Sequence, residues 1–300
     1  MTGSSETTRE AFCFDLYRIM KPQHKKRIRK AFLEWFVGFS EGDGTFSVWF
    51  DGRKKRAAFV IDQKDPKVLH YIRTELGFGK VSQLKRGYWR YSVYDNDNLI
   101  KLYCLFAGNL VLNKRNLAFE RWSTYLQFPE YFSISKKYLQ HIQDNKRSGV
   151  KAINCKNGWL AGFWDADGGF YAYADYSKKI PYIVLRAYVT QAAEIEVLQQ
   201  IAIAMNAPNK VISTITNNVS PKRYNRLDLT DENSIVTALS YFQKYKLIGP
   251  KNIVFGRWKR LYQVRENMKV MRSSGIEISE KSIKKLKRLI ESTKRNKMMI

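Results

Sequence analysis

A chain of 300 residues, 44% hydrophobic and 14% aromatic, has enough apolar surface for one large core or two ordinary ones and is not a disordered polymer. Its 53 Lys and Arg against 27 Asp and Glu leave a formal charge of +26, which costs self-repulsion and points to a polyanionic partner: nucleic acid first, an anionic membrane surface or a ribosomal role behind it. The cysteines (Cys13, Cys104, Cys155) and histidines (His24, His70, His141) lack disulfide or zinc spacing, and no apolar run reaches the roughly 18 residues of a membrane span.

In chain order, residues 1–30 read as a basic N-terminal extension. Glu6, Glu10 and Asp15 argue against a signal or transit peptide, so a soluble, intracellular, reduced protein is expected, with no membrane partner. A first unit follows at 31–128. Its apolar helical segment Phe36–Phe46 ends Glu41-Gly42-Asp43-Gly44, and strands at Thr45–Phe50 and up to Gln63 flank the basic turn Arg53-Lys54-Lys55-Arg56. A helix at Pro66–Leu76, a hairpin of Lys80–Leu84 with Tyr88–Tyr94, a helix capped by Asp95 or Asn96, and a last helix carrying Asn116–Trp122 complete it.

After a polar linker at 129–157, the same order returns at 158–272. Leu160–Phe170 repeats the helical segment and ends Asp165-Ala166-Asp167-Gly168. A strand at Phe170–Asp175, the turn Lys178-Lys179 and a strand ending at Gln191 follow. Next come a helix at Glu194–Met205, a hairpin of Lys210–Thr216 with Arg223–Leu229, and a helix capped by Thr230 or Asp231. Asn252–Trp258 then matches Asn116–Trp122, a repetition in order and residue type that marks a tandem duplication. Residues 273–300 form a lysine-rich tail, with an amphipathic helix from Ser279 that has Ile283, Leu286 and Ile290 on one face. Its basic side is either solvated or in contact with phosphates.

Gly38 and Gly42, like Gly162 and Ala166, lie one helical turn apart on the same face. Glycine inside a helix costs about 1 kcal/mol relative to alanine, so close approach of the two motif helices is the expected return. That packing would bring Asp43 and Asp167 together at two helix C-termini, where the dipole also disfavours anions. A divalent cation relieves both conflicts. Hard oxygen ligands favour magnesium over zinc, and such an ion would bind a phosphoryl oxygen and activate water. A single Gly-acid-Gly turn would be an ordinary helix cap; two at equivalent places in a basic repeat point to chemistry.

These paired segments resemble the motif of LAGLIDADG homing endonucleases in their single-chain, two-motif form, over roughly Phe32–Met268. The resemblance implies a mixed α+β fold of two αββαββα units with pseudo-two-fold symmetry, motif helices packed at the interface and antiparallel, saddle-shaped sheets facing the DNA major groove. It implies a monomeric, metal-dependent endonuclease that leaves short 3′ overhangs at a long, loosely palindromic site. Mg2+, or Mn2+ in its place, is the cofactor, and double-stranded DNA the partner. It further implies Asp43 and Asp167 as metal ligands, assisted by the carbonyls of Gly42 and Ala166, with Gln63 and Gln191 positioning solvent. The family's basic residue before the last helix fits Lys246 in the second half; in the first half, where Asn109-Leu110-Val111 occupies the matching place, Lys114 serves only with a shifted alignment. An intron-encoded, mitochondrial origin follows from the same resemblance. An RNA maturase acting on its own intron, or a non-catalytic DNA-binding regulator, would use the same scaffold.

Strand parity sorts the faces. Phe46, Val48 and Phe50, with Phe170, Ala172 and Ala174, are expected beneath the helices. Thr45, Ser47, Trp49, Tyr171, Tyr173 and Asp175 are expected to face DNA, with Val60, Asp62, Arg186, Tyr188 and Thr190 on the neighbouring strands. The turns Arg53–Arg56 and Lys178-Lys179, with Arg86, Arg90, Lys210, Arg223 and Arg226, extend the basic surface as a set.

Overall fold

The computed structural model describes residues 11–128, 153–217 and 220–295, so most of the expected linker and the first ten residues lie outside the described residues. The first half contains α1 (Asp15–Met20), α2 (Lys30–Asp43), β1 (Gly44–Asp51), β2 (Lys54–Gln63), α3 (Pro66–Leu76), β3 (Lys80–Gln83), β4 (Trp89–Val93), α4 (Asn96–Phe106) and α5 (Asn113–Ser123). The second contains α6 (Trp159–Asp167), β5 (Gly168–Asp175), β6 (Tyr182–Gln191), α7 (Ile195–Ala204), β7 (Ser213–Asn217), β8 (Ser220–Leu229), α8 (Glu232–Lys244), α9 (Lys251–Ser273) and α10 (Glu280–Arg295). Each half folds into a four-stranded antiparallel sheet, ordered β1-β2-β4-β3 and β5-β6-β8-β7. The duplication is thus repeated in space. The expected strand at Lys210 begins instead at Ser213, because the Lys210 N–H closes a turn onto the Ala207 carbonyl at 3.1 Å; its ammonium reaches Thr230 and Asp231.

Local signals set the helix ends. Asp65 accepts from the Lys67 amide at 2.9 Å, Pro66 opens α3, and Gly77 closes it at φ 82. Asp95 and Asp231 cap α4 and α8 through the amides of Asn98 and Ser234. Helices cover one face of each sheet, with corresponding aromatic clusters between. Phe46 packs on Phe106, Phe119 and Trp122; Phe170 packs on Phe242, Phe255 and Trp258. Ala172, Ala187, Val189, Leu227 and Leu229 are buried on the same side as Phe170.

Two sequence expectations change here. Phe50 is 65% exposed and does not pack beneath the helices, because the β1–β2 hairpin runs out past their cover; its ring meets Lys55 instead. In the segment read as an extension, Phe12, Phe14 and Tyr17 are buried in the first unit. The Asn109 amide clamps that segment, accepting from the Cys13 N–H at 3.0 Å and donating to the Cys13 carbonyl at 2.7 Å.

The two units meet along α2 and α6, whose backbones are almost in contact. A Cβ built on Gly38 would lie 2.0 Å from the Trp159 carbonyl oxygen, and one on Gly162 would lie 1.8 Å from that of Trp35. These are two corresponding contacts, one from each motif helix, and no side chain fits either. Gly162→Ala is therefore expected to destabilise the chain by about 1–3 kcal/mol through forced helix separation, read as a lower urea midpoint. An unchanged midpoint would contradict the close crossing.

Candidate active site

The last residues of α2 and α6 are Asp43 and Asp167. Because the helices cross so closely, the Asp167 carboxylate reaches the main chain of the opposite helix: a Cβ on Gly42 would lie 2.9 Å from its Oδ2. Both acids have pKa values above the ordinary carboxylate range, Asp43 at about 6. Burial is the main cause for each, and the charge of Asp167 adds to it at Asp43. Gln63, the last residue of β2, donates to Asp43 Oδ2 at 2.7 Å; Gln191, the last residue of β6, donates to Asp167 Oδ2. The structure thus brings Asp43, Asp167, Gln63 and Gln191 into one cluster.

The cations differ from expectation. Lys246 is away from this cluster, in a cleft of about 430 Å³ lined by residues of both units including Arg29, Trp35, Tyr71 and Tyr245. It precedes the loop that Asp165 holds in place, and that loop carries the chain round before α9 begins. Lys251, the first residue of α9, supplies the charge instead. Its Nζ donates to the carbonyls of Ala166 at 2.6 Å and Trp164 at 3.3 Å, and its pKa is lowered by burial against the opposing pull of Asp165, Asp43 and Asp167. Arg115 holds the matching position in the first unit, donating to the carbonyls of Glu41, Gly42 and Gly44. Lys114 crosses to the other unit, where its Nζ donates to Gln191 Oε1 and its main-chain N–H to Glu194. The signal for Lys251 and Arg115 was already in the repeat, since a basic residue directly precedes Asn116 and Asn252 alike.

The first acid of each motif has a different job. Glu41 accepts from the Trp159 indole of the opposite helix and, at 2.6 Å each, from the amides of Val111 and Leu112. Asp165 accepts from the Trp35 indole at 2.9 Å and from the amides of Ile248 and Gly249 at 2.6 and 3.3 Å. Each thus ties the partner helix to the loop that launches the last helix of its own unit. Burial raises both pKa values, that of Glu41 to about 7.

The face of each sheet turned away from the helices carries the remaining candidates. Register places Ser47 beside Ala58, Trp49 beside Arg56, and Asp62 beside Arg90, which it binds through two 2.7 Å hydrogen bonds. On the second sheet Tyr171 neighbours Arg186, Tyr188 neighbours Asp228, and Thr190 neighbours Arg226. The Arg226 guanidinium lies 4.1 Å from the Tyr188 ring centre and 2.9 Å from Asp228, with Arg186 at 3.7 Å from the same carboxylate. Tyr173 is exposed on this face. Arg53, Lys54, Lys55 and Arg56, Lys178 and Lys179, and Arg86 are exposed at the hairpin ends; the Arg223 side chain lies outside the described residues.

The model of LAGLIDADG endonucleases matches residues 36–126 and 160–262. The chain belongs to the LAGLIDADG endonuclease family. A relative from Neurospora crassa, "Probable intron-encoded endonuclease 4", is 30% identical over 270 residues, covering 87% of this chain and 43% of its own length; the chain thus spans less than half of that relative. An uncharacterised cox1 intron-2 protein of Schizosaccharomyces pombe is 24% identical, covering 91% of this chain and 79% of its own. The LAGLIDADG homing endonuclease I-SmaMI, solved bound to cleaved DNA, aligns with TM-score 0.62 and 18% identity over 86% of this chain and 95% of its own. The shared fold is the one expected, mixed α+β with two antiparallel four-stranded sheets.

In this LAGLIDADG chain Lys251 is the counter-charge of a buried acidic cluster. Lys251→Met is expected to cost about 3 kcal/mol or more by leaving those carboxylates unpaired. Lys246→Met should stay within about 0.5 kcal/mol. Urea titration in metal-free buffer measures both, and equal costs would remove Lys251 from the cluster.

Proposed function

We propose that the chain is a site-specific endonuclease that hydrolyses both strands of duplex DNA with the help of a divalent cation. The observation that carries this reading is the pair Asp43 and Asp167. They are held against one another at the foot of two crossed helices, each with its own glutamine, between two sheets with open polar and aromatic faces.

The donor set suits a hard cation. Two buried carboxylates that disfavour each other's charge gain from a positive ion between them. Among the described residues no group of three or more His, Cys, Asp or Glu side chains comes together, so further ligands come from main chain, water or phosphate. The Gly42 and Ala166 carbonyls already accept from Arg115 and Lys251 and each keeps a second lone pair. Mg2+, or Mn2+, would supply Lewis-acid polarisation of the scissile phosphate and a water of lowered pKa. Asp43 and Asp167 would hold it. Gln63 keeps its amide nitrogen on Asp43 and orients solvent with its oxygen; Gln191 keeps its nitrogen on Asp167, and its oxygen, held by Lys114, has one lone pair left for solvent. Lys251 and Arg115 keep the helix-end carbonyls in place and add positive charge where the phosphorane charge develops.

Duplex DNA fits the two open faces, since a two-stranded ribbon enters the major groove and reads base edges there. The face residues differ between units, Ser47 against Tyr171 and Trp49 against Tyr173, so a loosely palindromic target is the matching partner. Two similar units in one chain make a monomer sufficient. Relatives named as intron-encoded, one of them from a cox1 intron, support an origin in a mitochondrial intron.

The test is cleavage of the intronless junction of the host gene, with both strands labelled, in Mg2+ and in EDTA. Asp43→Asn and Asp167→Asn are each expected to lower the cleavage rate at least about 100-fold while duplex binding in EDTA persists. Binding by the wild type with no cutting in Mg2+ would overturn the nuclease reading. Undiminished cutting by both variants would overturn the site.

A further inference from the structure

The second unit carries a structure that the described residues of the first unit lack. After α5 the first unit ends at 11 helical residues, whereas α9 runs for 23 and is followed by the 16-residue α10. Helix α10 packs Leu286, Ile290 and Thr293 inward, against α9 and the outer strand β5. On a helix of 3.6 residues per turn, the side opposite that buried stripe holds Lys281, Lys284, Lys285 and Arg288. All four are exposed, and none makes a hydrogen bond or ion pair among the described residues.

This helix is joined to the β5–β6 connection. Lys287 Nζ lies 5.0 Å from the ring centre of Tyr176, Arg272 donates to the Pro181 carbonyl at 3.0 Å, and Lys179 pairs with Glu277 at 3.5 Å. The connection itself exposes Lys178 and Lys179. The basic helix and the basic loop are thus tied together beside β5, the outer strand of the second sheet. Four like charges on successive turns repel one another. An anionic surface of matching repeat offsets that repulsion.

We propose that α10 is a clamp for the DNA backbone. Lys281, Lys284, Lys285 and Arg288 bind phosphates of the duplex flanking the half-site read by the second unit, so the footprint is longer on that side than on the other. The proposal rests on the endonuclease reading for its choice of duplex DNA. The charge pattern requires only a phosphodiester backbone, and the hairpin it continues is the one that reading places on the duplex.

The experiment uses the full chain with two non-specific DNA duplexes, of 40 and 15 base pairs, and a 40-base-pair RNA duplex, in EDTA. Binding is followed by fluorescence anisotropy across a salt series. Each phosphate released from its counterions contributes about 0.9 to the slope of log affinity against log salt. A variant with Lys281→Gln, Lys284→Gln, Lys285→Gln and Arg288→Gln is expected to lose about 2 to 3.6 from that slope on the long DNA duplex and much less on the short one. Its thermal midpoint should be unchanged. A control with Lys26→Gln, Arg27→Gln, Lys67→Gln and Lys244→Gln removes the same charge elsewhere and is expected to lose less than 1. Equal losses for variant and control would reduce the effect to net charge and overturn the clamp. So would an unchanged slope, or a loss seen only on the RNA duplex. Failure of the wild type to bind either DNA duplex would instead count against the endonuclease reading itself.

Discussion

The structure depends on two helices crossing at backbone distance. Gly38 faces the Trp159 carbonyl and Gly162 faces that of Trp35, at separations where a single methyl group would intrude. The meeting of the two acids hangs on that approach. Only when the axes are this close do residues at the two helix ends, Asp43 and Asp167, share one electrostatic environment. The crossing lacks large apolar side chains at its tightest points, so stability comes from elsewhere: the aromatic clusters around Phe46 and Phe170, and the indole–carboxylate bonds that pin each helix to its partner.

The two acids of each motif divide the work by depth. Glu41 and Asp165 are both buried. Glu41 shares its two oxygens between a pair of amides and an indole, whereas Asp165 takes an indole and two amides on Oδ2 alone and leaves Oδ1 without a partner among the described residues. They join the interface to the loops that deliver Arg115 and Lys251. Asp43 and Asp167 lie one step further along, at the helix ends, where the glutamines and the cations meet them. A buried network of alternating charge results, in which each group is costly alone and tolerable in company.

Pseudo-symmetry is close in the framework and loose in the chemistry. Arg115 stands where the second unit has Lys251. Lys114, which reaches across to Gln191, corresponds to Pro250, which has no side-chain donor to offer Gln63. A guanidinium holds three carbonyls at once, whereas an ammonium is a compact point charge. The two halves of the centre are therefore inequivalent, as are the open faces of the two sheets. Duplication within one chain permits both, because neither unit is constrained to match the other.

The order of elements was legible in the sequence because it is written twice: short-range signals such as Asp65-Pro66, Asp95 and Asp231, and the alternation in the strands, act over a few residues and need no partner. The small-residue spacing also implied the helix crossing, and with it the meeting of Asp43 and Asp167; Gln63 and Gln191 followed only from the family resemblance. Other features depended on distances that sequence spacing does not encode. Lys246 and Lys251 are five residues apart in a loop and a helix start, and only the path of that loop, fixed by Asp165 from across the unit, decides which ammonium enters the cluster. Phe50 obeys strand parity yet stays exposed, since parity assigns a face but cannot say how far the covering helices extend. Phe12, Phe14 and Tyr17 pack into a core whose walls come from far along the chain. Local chemistry and repetition thus determined the fold and the acids; long-range packing decided which cations reach them and where the open surface ends.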